Sequence, residues 1–330
     1  MSGYGFNFQW IYDDDPSGPR PADERALDFL AAQGFDFVRI PANYRAWTRD
    51  FDYLHPDEGV LASLDGYLDA CRSRGIHLSL NLHRAPGYCI NRNDLEKHNL
   101  WLDAVAQDAF VFLWEGFARR YDGVPGTALS FDLVNEPPPL GMYGFTRENH
   151  AAVIRRTVEA IRAIDPDRPI VIDGLDGGNL AMPELGDLGV THSGRGYQPY
   201  PVSHWGAEWW DGWKAGDGPD YPGGTYEGQR WDLAALRGVY DPWRAVERMG
   251  NQIHIGEFGC YRHTPNDDAL RWFTDLFGLF REFGWGYALW QFEGPFGIVG
   301  HGRPGARIER RDGYDVDVDL LELMRASRVD

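Results

Sequence analysis

Apolar residues along the chain follow two periods in turn. Short runs that alternate or stay apolar read as strands, and stretches with apolar positions three to four apart read as helices. Phe6-Asn7-Phe8-Gln9-Trp10 alternates as a strand and leads into an Asp/Pro/Gly loop that lasts to Pro21. Residues 22–33 have helical spacing, with Asp23 and Glu24 in the first turn and Gly34 as the stop. Residues 35–41 form a second strand closed by Pro41, residues 62–74 a helix ended by Gly75, and residues 76–82 a third strand. The alternation continues with a helix over 103–121, a strand over 129–134, a helix over 147–164 stopped by Asp165-Pro166, and a strand over 169–173. A sixth strand falls within 189–197. Beyond it come a helix over 233–249, a strand over 253–257, a helix over 267–283, a strand over 286–290 and a last helix over 319–326.

Strands separated by helices in this way predict an α/β protein, and eight of them predict a closed parallel (β/α)8 barrel. No Gly/Ser linker, compositional break or low-complexity tract interrupts residues 1–330, so a single domain is expected. The rival, a doubly wound open sheet, lacks support: no GxGxxG follows the first strand and no GxxxxGK[ST] occurs. Residues 205–231 form a long helix-poor loop after the sixth strand, rich in Trp, Gly, Asp and Pro. Loops of that length inside compact domains are usually functional.

Charge narrows the partners. With 50 acidic against 32 Lys and Arg residues the formal net charge is -18, which argues against nucleic acid or an anionic membrane. No apolar run is long enough to cross a bilayer. The start Met1-Ser2-Gly3-Tyr4-Gly5-Phe6 lacks the basic head and apolar core of a secretory signal. Cys71, Cys89 and Cys260 stand at unrelated spacings without a CxxC pair. Both observations predict a cytoplasmic location. The ten histidines include no HExxH pattern and no His-x-His pair, so neither a metal nor a cofactor is expected, although His83, His192 and His204 could meet in space.

In a parallel barrel the chemistry sits at the carboxyl ends of the strands. Those ends carry Trp10, Arg39, Asn81 with His83 and Arg84, Asn135 with Glu136, Asp173, Arg195 with Tyr197, Glu257, and Trp290. A barrel needs no such polar and aromatic set for stability, since its interior is filled by branched apolar side chains. Ser130-Phe131-Asp132-Leu133-Val134-Asn135-Glu136-Pro137 ends a strand in a glutamate ahead of a chain-breaking proline; Ile253-His254-Ile255-Gly256-Glu257-Phe258-Gly259 repeats the arrangement. Two carboxyl groups flanking one cavity suit glycoside hydrolysis, one protonated to serve the leaving oxygen and one ionised. A separation of about 5 Å retains configuration and a wider one inverts it.

These pieces resemble the (β/α)8 glycoside hydrolases of clan A, most closely the cellulase-like family five. The match rests on Val38-Arg39-Ile40-Pro41, Leu82-His83-Arg84-Ala85-Pro86-Gly87, Asn135-Glu136-Pro137, Ile255-Gly256-Glu257-Phe258-Gly259 and Leu289-Trp290-Gln291-Phe292, and runs from Gly5 to about Leu323. The resemblance implies Glu136 as general acid/base and Glu257 as nucleophile. It implies Asn135 on the 2-hydroxyl of the sugar, Arg39 beneath Glu257, His83 lining the pocket, Trp290 as a stacking floor and Tyr197 donating to Glu257.

One position departs from the family's usual His-any-Tyr at the sixth strand end. Here the triplet is Arg195-Gly196-Tyr197, with His192 three residues earlier. Either His192 takes the place through a shifted strand end, or Arg195 does, or Arg195 points outward to bind an anionic group of the substrate. Glu293 follows the stacking tryptophan and is a candidate for sugar hydroxyls or a solvated loop charge. His204, Trp205, Trp209, Trp210 and Trp213 form either an aromatic wall over the cleft or a satellite core. The reading is a retaining β-glycosidase on β-linked gluco- or manno-configured sugars. Its alternatives are an endo-β-1,4-glucanase, an inactive carbohydrate-binding barrel, and a metal-dependent hydrolase that chelation would silence.

Overall fold

Eight parallel strands are present in the computed structural model, which describes residues 3–13, 18–215 and 218–329. They are β1 (Tyr4–Asn7), β2 (Phe37–Asn43), β3 (His77–Ala85), β4 (Leu129–Asp132), β5 (Ile170–Asp173), β6 (Thr191–Gly196), β7 (Gln252–Phe258) and β8 (Gly286–Leu289). The main helices are α1 (Glu24–Ala32), α2 (Glu58–Arg72), α3 (Ala104–Arg120), α4 (Arg147–Ile164), α5 (Leu233–Arg248), α6 (Asn266–Phe283) and α7 (Val318–Ser327).

Local chemistry sets the helix starts. Asp23 accepts from Ala26 N, Asp57 from Gly59 N and Val60 N, and Asp317 from Leu320 N. Thr146 and Asn149 form a reciprocal capping box at α4, satisfying donors that have no partner inside the helix. At the far end of α6, Gly284 adopts φ 71°, the left-handed stop that glycine takes without a Cβ penalty. The helix expected over 62–74 begins earlier, at Glu58, where the Asp57 carboxylate accepts from Gly59 N and Val60 N and satisfies the first free donors. Between β5 and β6 stand only the short turns Leu175–Gly178 and Pro183–Leu185.

The chain divides into two compact units. One comprises Phe8–Gly194 with Val246–Gln252, the other Met1–Asn7, Arg195–Ala245 and Ile253–Asp330. In the first, β2, β3, β4, β5 and β6 pair in that order, all parallel. β2 and β3 are buried along their whole lengths, as expected for parallel strands covered on both faces. Val38, Ile40, Leu78, Leu80, Leu82 and Phe131 supply the strand side of this core, and Leu64, Leu68, Phe110, Trp114, Phe117 and Ile154 the helix side.

In the second unit β8 lies between β1 and β7, again all parallel. Phe258 anchors its core, with Phe273, Phe277, Phe280 and Tyr287 rings at 5.2–6.3 Å. A hairpin of Ile308–Arg311 and Tyr314–Asp317 precedes α7. The loop expected over 205–231 contains the turn Asp211–Ala215 and a two-residue hairpin, Thr225–Tyr226 with Gln229–Arg230. Within it, residues 216–217 lie outside the described residues, as do 14–17 of the loop after β1. Among the described residues no helix is long and apolar enough to cross a membrane.

Candidate active site

The first cluster grows from the end of β4. Its pairing continues past the strand, with Leu133 N donating to Val171 O and Asn135 N to Leu82 O, each at 3.0 Å. The chain then turns at Glu136 with φ 46°, a left-handed conformation uncommon for a residue with a Cβ. Two side chains hold this turn. Glu136 N donates to Asp173 Oδ2 at 3.0 Å, and Tyr88 Oη donates to Glu136 O at 2.5 Å. Burial raises the Tyr88 hydroxyl well above its ordinary range, so it stays protonated and able to donate. Pro137 follows, and its carbonyl accepts from Gly177 N at 3.0 Å.

Beneath that turn lies Arg39, 1% exposed. Its Nε donates to Asp132 Oδ2 at 2.6 Å and its Nη2 to Asn135 Oδ1 at 2.9 Å, with Asp173 Oδ2 at 3.5 Å. The contact fixes which way the Asn135 amide faces. Asn81 Nδ2 adds a bond to Asp132 O at 3.3 Å. Buried charges of this kind persist only when they are paired and hydrogen-bonded. His83 is also buried, with the Tyr12 ring at 4.6 Å.

The second cluster is built on β7. Between Ile255 and Phe258 the strand carries one residue more than its partner β8, a bulge containing Gly256 and Glu257. Asn7 stabilises it from below, its Nδ2 donating to Gly256 O at 3.0 Å and to Ala288 O at 3.3 Å. A bulge re-aims the side chains it contains. Glu257 is 4% exposed and held by both oxygens: Arg195 Nη2 lies 3.4 Å from Oε1, and Tyr197 Oη donates to Oε2 at 3.2 Å. Arg195 and Tyr197, two apart, share one side of their strand. Gly196 between them faces the other way, where a Cβ would stand 2.6 Å from Phe258 Cβ. Gly259 is required for a similar reason, since a Cβ there would meet Trp290 O at 2.7 Å.

Aromatic rings back this carboxylate. Tyr197, Ala207, Tyr261 and Phe296 form a small buried cluster against which Tyr200 and Trp290 pack. Trp290 N donates to Phe258 O at 2.7 Å, and the Trp290–Gln291 peptide is cis. His204 sits behind Tyr197 with ring centroids 5.1 Å apart, and its Nδ1 lies 2.8 Å from Ser203 Oγ. Burial pushes its imidazole down to about 3. Trp210, Trp205 and Trp213 are half-buried while Trp209 is 62% exposed. Trp205 packs on Trp213 at 4.8 Å and Trp209 on Tyr261 at 4.9 Å, so the tryptophans pack on one another and on this cluster. Glu293 is exposed.

Two expectations about the sixth strand are corrected. His192 lies on β6 opposite Ile172, three residues from Arg195 and so on the opposite side by strand alternation. It is fully buried, neither ring nitrogen has a hydrogen-bond partner among the described residues, and burial pushes it down to about 4. It does not stand in for the missing histidine. Nor does Arg195 point outward: its side chain is 0% exposed and is engaged with Glu257.

Three contributors escaped the sequence reading. Asp132 was signalled only by being an acidic residue inside an apolar strand, and Asp173 was placed at a strand end without its role on Glu136. Tyr88 lies in a two-residue strand, Tyr88–Cys89, that folds back antiparallel on the end of β3, with no local mark at all. Among the described residues no group of three His, Cys, Asp or Glu is placed to hold a metal.

Comparison with known proteins puts these clusters in context. The family model of cellulase (glycosyl hydrolase family 5) matches residues 1–294. Endoglucanase C of Acetivibrio thermocellus is 27% identical over 299 residues, covering 82% of this chain and 83% of that protein. Cellodextrinase A of Ruminococcus flavefaciens is 26% identical over 271 residues, 79% of this chain and 75% of that one. A crystal structure of a glycoside hydrolase, 60% identical, superposes over 100% of both chains with a TM-score of 0.98. An endoglucanase from Thermotoga maritima, 22% identical, superposes over 98% of this chain and 96% of that one with a TM-score of 0.77. The eight parallel strands and their helices are thus those of a (β/α)8 barrel, the fold class expected.

Proposed function

The chain belongs to glycosyl hydrolase family 5 and is an O-glycosyl hydrolase, and from that premise we propose a retaining β-glycosidase acting on β-linked gluco- or manno-configured oligosaccharides or glycosides. The observation that carries the reading is the grip on Glu257, whose two oxygens are held by Arg195 and Tyr197. A carboxylate fixed by both oxygens on a bulged strand is oriented for attack rather than for ion pairing at a surface. Glu136, on a turn pinned through its backbone by Asp173 and Tyr88, is the matching acid.

The proposed reaction runs in two displacements. Glu257 attacks the anomeric carbon while Glu136 gives its proton to the departing glycosidic oxygen. A glycosyl ester on Glu257 and a free alcohol result. Glu136, now a carboxylate, takes a proton from water as that oxygen attacks the anomeric carbon, breaking its bond to Glu257 and releasing Glu257 as a carboxylate. Asn135, His83 and Trp290 are assigned to the sugar, and the catalytic domain is taken to span 1–330. A cytoplasmic site of action belongs to the same proposal, supported by three unpaired buried thiols.

A second reading, an endo-β-1,4-glucanase, draws support from the relative named endoglucanase C; the relative named cellodextrinase favours shorter chains. Aryl β-glycosides and cello- and manno-oligosaccharides, tested on wild type beside Glu257→Gln, separate the two. Turnover of aryl monoglycosides by wild type alone supports the glycosidase. Turnover confined to longer chains supports the endo-acting enzyme. Sugar binding without any turnover would leave an inactive barrel.

A further inference from the structure

The loop after β2 holds a cavity that the catalytic reading leaves unused. Tyr44, Arg45, Thr48, Arg49, Asp50 and Phe51 line a pocket of about 230 Å3 that is open to solvent on the Arg49 and Asp50 side. The loop leaves β2 at Asn43, the carboxyl end of the strand. The same end of the neighbouring parallel strands carries His83 and the turn at Glu136.

Its frame is rigid. Asn43 Oδ1 accepts from Arg45 N at 3.0 Å, Trp47 N and Thr48 N both return to Tyr44 O at 3.1 Å, and Asp57 N closes the far side on Trp47 O at 2.7 Å. Tyr44 Oη donates to Glu96 at 2.7 Å. That carboxylate, 0% exposed, also takes Arg84 Nη1 at 2.7 Å and Gly87 N at 3.1 Å. The buried knot ties the β2 loop to the β3 loop next to His83.

Asp50 and Phe51 have φ of 48° and 61°. Two successive non-glycine residues in the left-handed region are uncommon, and for a bulky aromatic the conformation is a true outlier. Strain of this kind persists where the surroundings over-determine it, often at ligand clamps.

The lining chemistry selects a ligand. Arg45 and Arg49 can donate, the Asp50 carboxylate can accept, and the Thr48 hydroxyl, buried without a hydrogen-bond partner among the described residues, can do both. Phe51, half-buried, offers a ring. An anion site would be spoiled by the carboxylate, and an apolar ligand would strand the guanidiniums. A pyranose fits the mixture: its vicinal hydroxyls donate and accept, and its C–H face packs on an aromatic ring. We propose that this cavity holds a pyranose unit of a longer β-linked oligosaccharide, other than the two units that flank the cleaved bond. Chain length is then read at the β2 loop. The inference rests on the glycosidase reading above.

The test compares kcat/KM on cellotetraose and mannotetraose with kcat/KM on an aryl β-monoglycoside, for wild type, Arg49→Ala and Asp50→Asn. Arg49 is exposed, and asparagine tolerates the left-handed backbone at position 50, so both variants should fold. Losing one charge-assisted hydrogen bond lowers the tetrasaccharide-to-monoglycoside ratio about tenfold for at least one of the two sugars. An unchanged ratio for both sugars overturns the inference. Calorimetric titration of the two tetrasaccharides into Glu257→Gln, with and without Arg49→Ala, supplies an independent readout: binding about tenfold weaker with Arg49→Ala supports the site, and an unaltered Kd or no binding to Glu257→Gln overturns it. Absence of all turnover would defeat the glycosidase reading, and the titration would still decide this one.

Discussion

Replacing Arg195 by methionine removes the cation 3.4 Å from Glu257 Oε1 and keeps an unbranched stem where the side chain is 0% exposed. Two unit charges at that distance attract by about 5 kcal/mol at an effective dielectric near 20, an upper bound. Truncating one partner of a buried pair costs roughly 3–5 kcal/mol. Tyr197 keeps its bond to Oε2 and retains part of the carboxylate's support, so a loss of about 3 kcal/mol is expected. For a chain of 330 residues that lowers Tm by about 4 °C. A carboxylate released on one side loses its aim, and kcat should fall about 100-fold, equivalent to ~2.7 kcal/mol in the barrier. Because Arg195 acts through Glu257, aryl β-glucoside and aryl β-glucuronide should lose the same factor, and Arg195→Lys should recover part of it. Steady-state kinetics on both substrates beside a thermal melt make the assay. A glucuronide-selective loss of tenfold or more would restore anion binding at Arg195. An unchanged Tm with kcat within twofold of wild type would refute the argument from the buried pair.

Three further outcomes follow from particular residues. Glu136→Gly relieves a left-handed backbone, φ 46°, and should stabilise the fold by about 1 kcal/mol in urea titrations while abolishing aryl glycoside turnover; a destabilised variant would contradict the strain. Gly196→Ala places a Cβ 2.6 Å from Phe258 Cβ and should cost about 1–3 kcal/mol, read as a lower denaturation midpoint. Burial holds His77 and His192 at about 4 and His150 and His204 at about 3. The unfolded chain therefore binds more protons than the native one below about pH 6.5, and stability falls as pH drops from there towards 4, by at most about 1.4 kcal/mol per pH unit for each histidine. Denaturation at pH 7, 6 and 5 measures the slope, and His150→Phe, set among Trp101 and Phe145, should reduce it.

Much of the architecture was legible because it is written in local patterns. Residues 147–164 carry apolar positions at helical spacing between a cap and Asp165-Pro166, and α4 occupies those residues. Apolar runs ahead of Asn135-Glu136 and Glu257 marked two strands and the carboxylates at their ends. Element edges were less legible where a cap competed, as at Asp57, or where ladder bonds outlast the strand, as at Leu133 and Asn135.

What the sequence by itself determined is the alternation of strand and helix and the residue types delivered to strand ends, since periodicity and chain-breaking residues act within a few positions. Tertiary structure alone decided which side chain serves which. Arg195 rather than His192 reaches Glu257, because alternation along β6 and the bulge in β7 set their directions. Arg39, on β2, gathers Asp132 and Asn135 from the end of β4 and Asp173 from β5, and Tyr88 reaches Glu136 across 48 positions of sequence. Such partners meet only when the sheet register is set, and no local pattern encodes a register between distant strands.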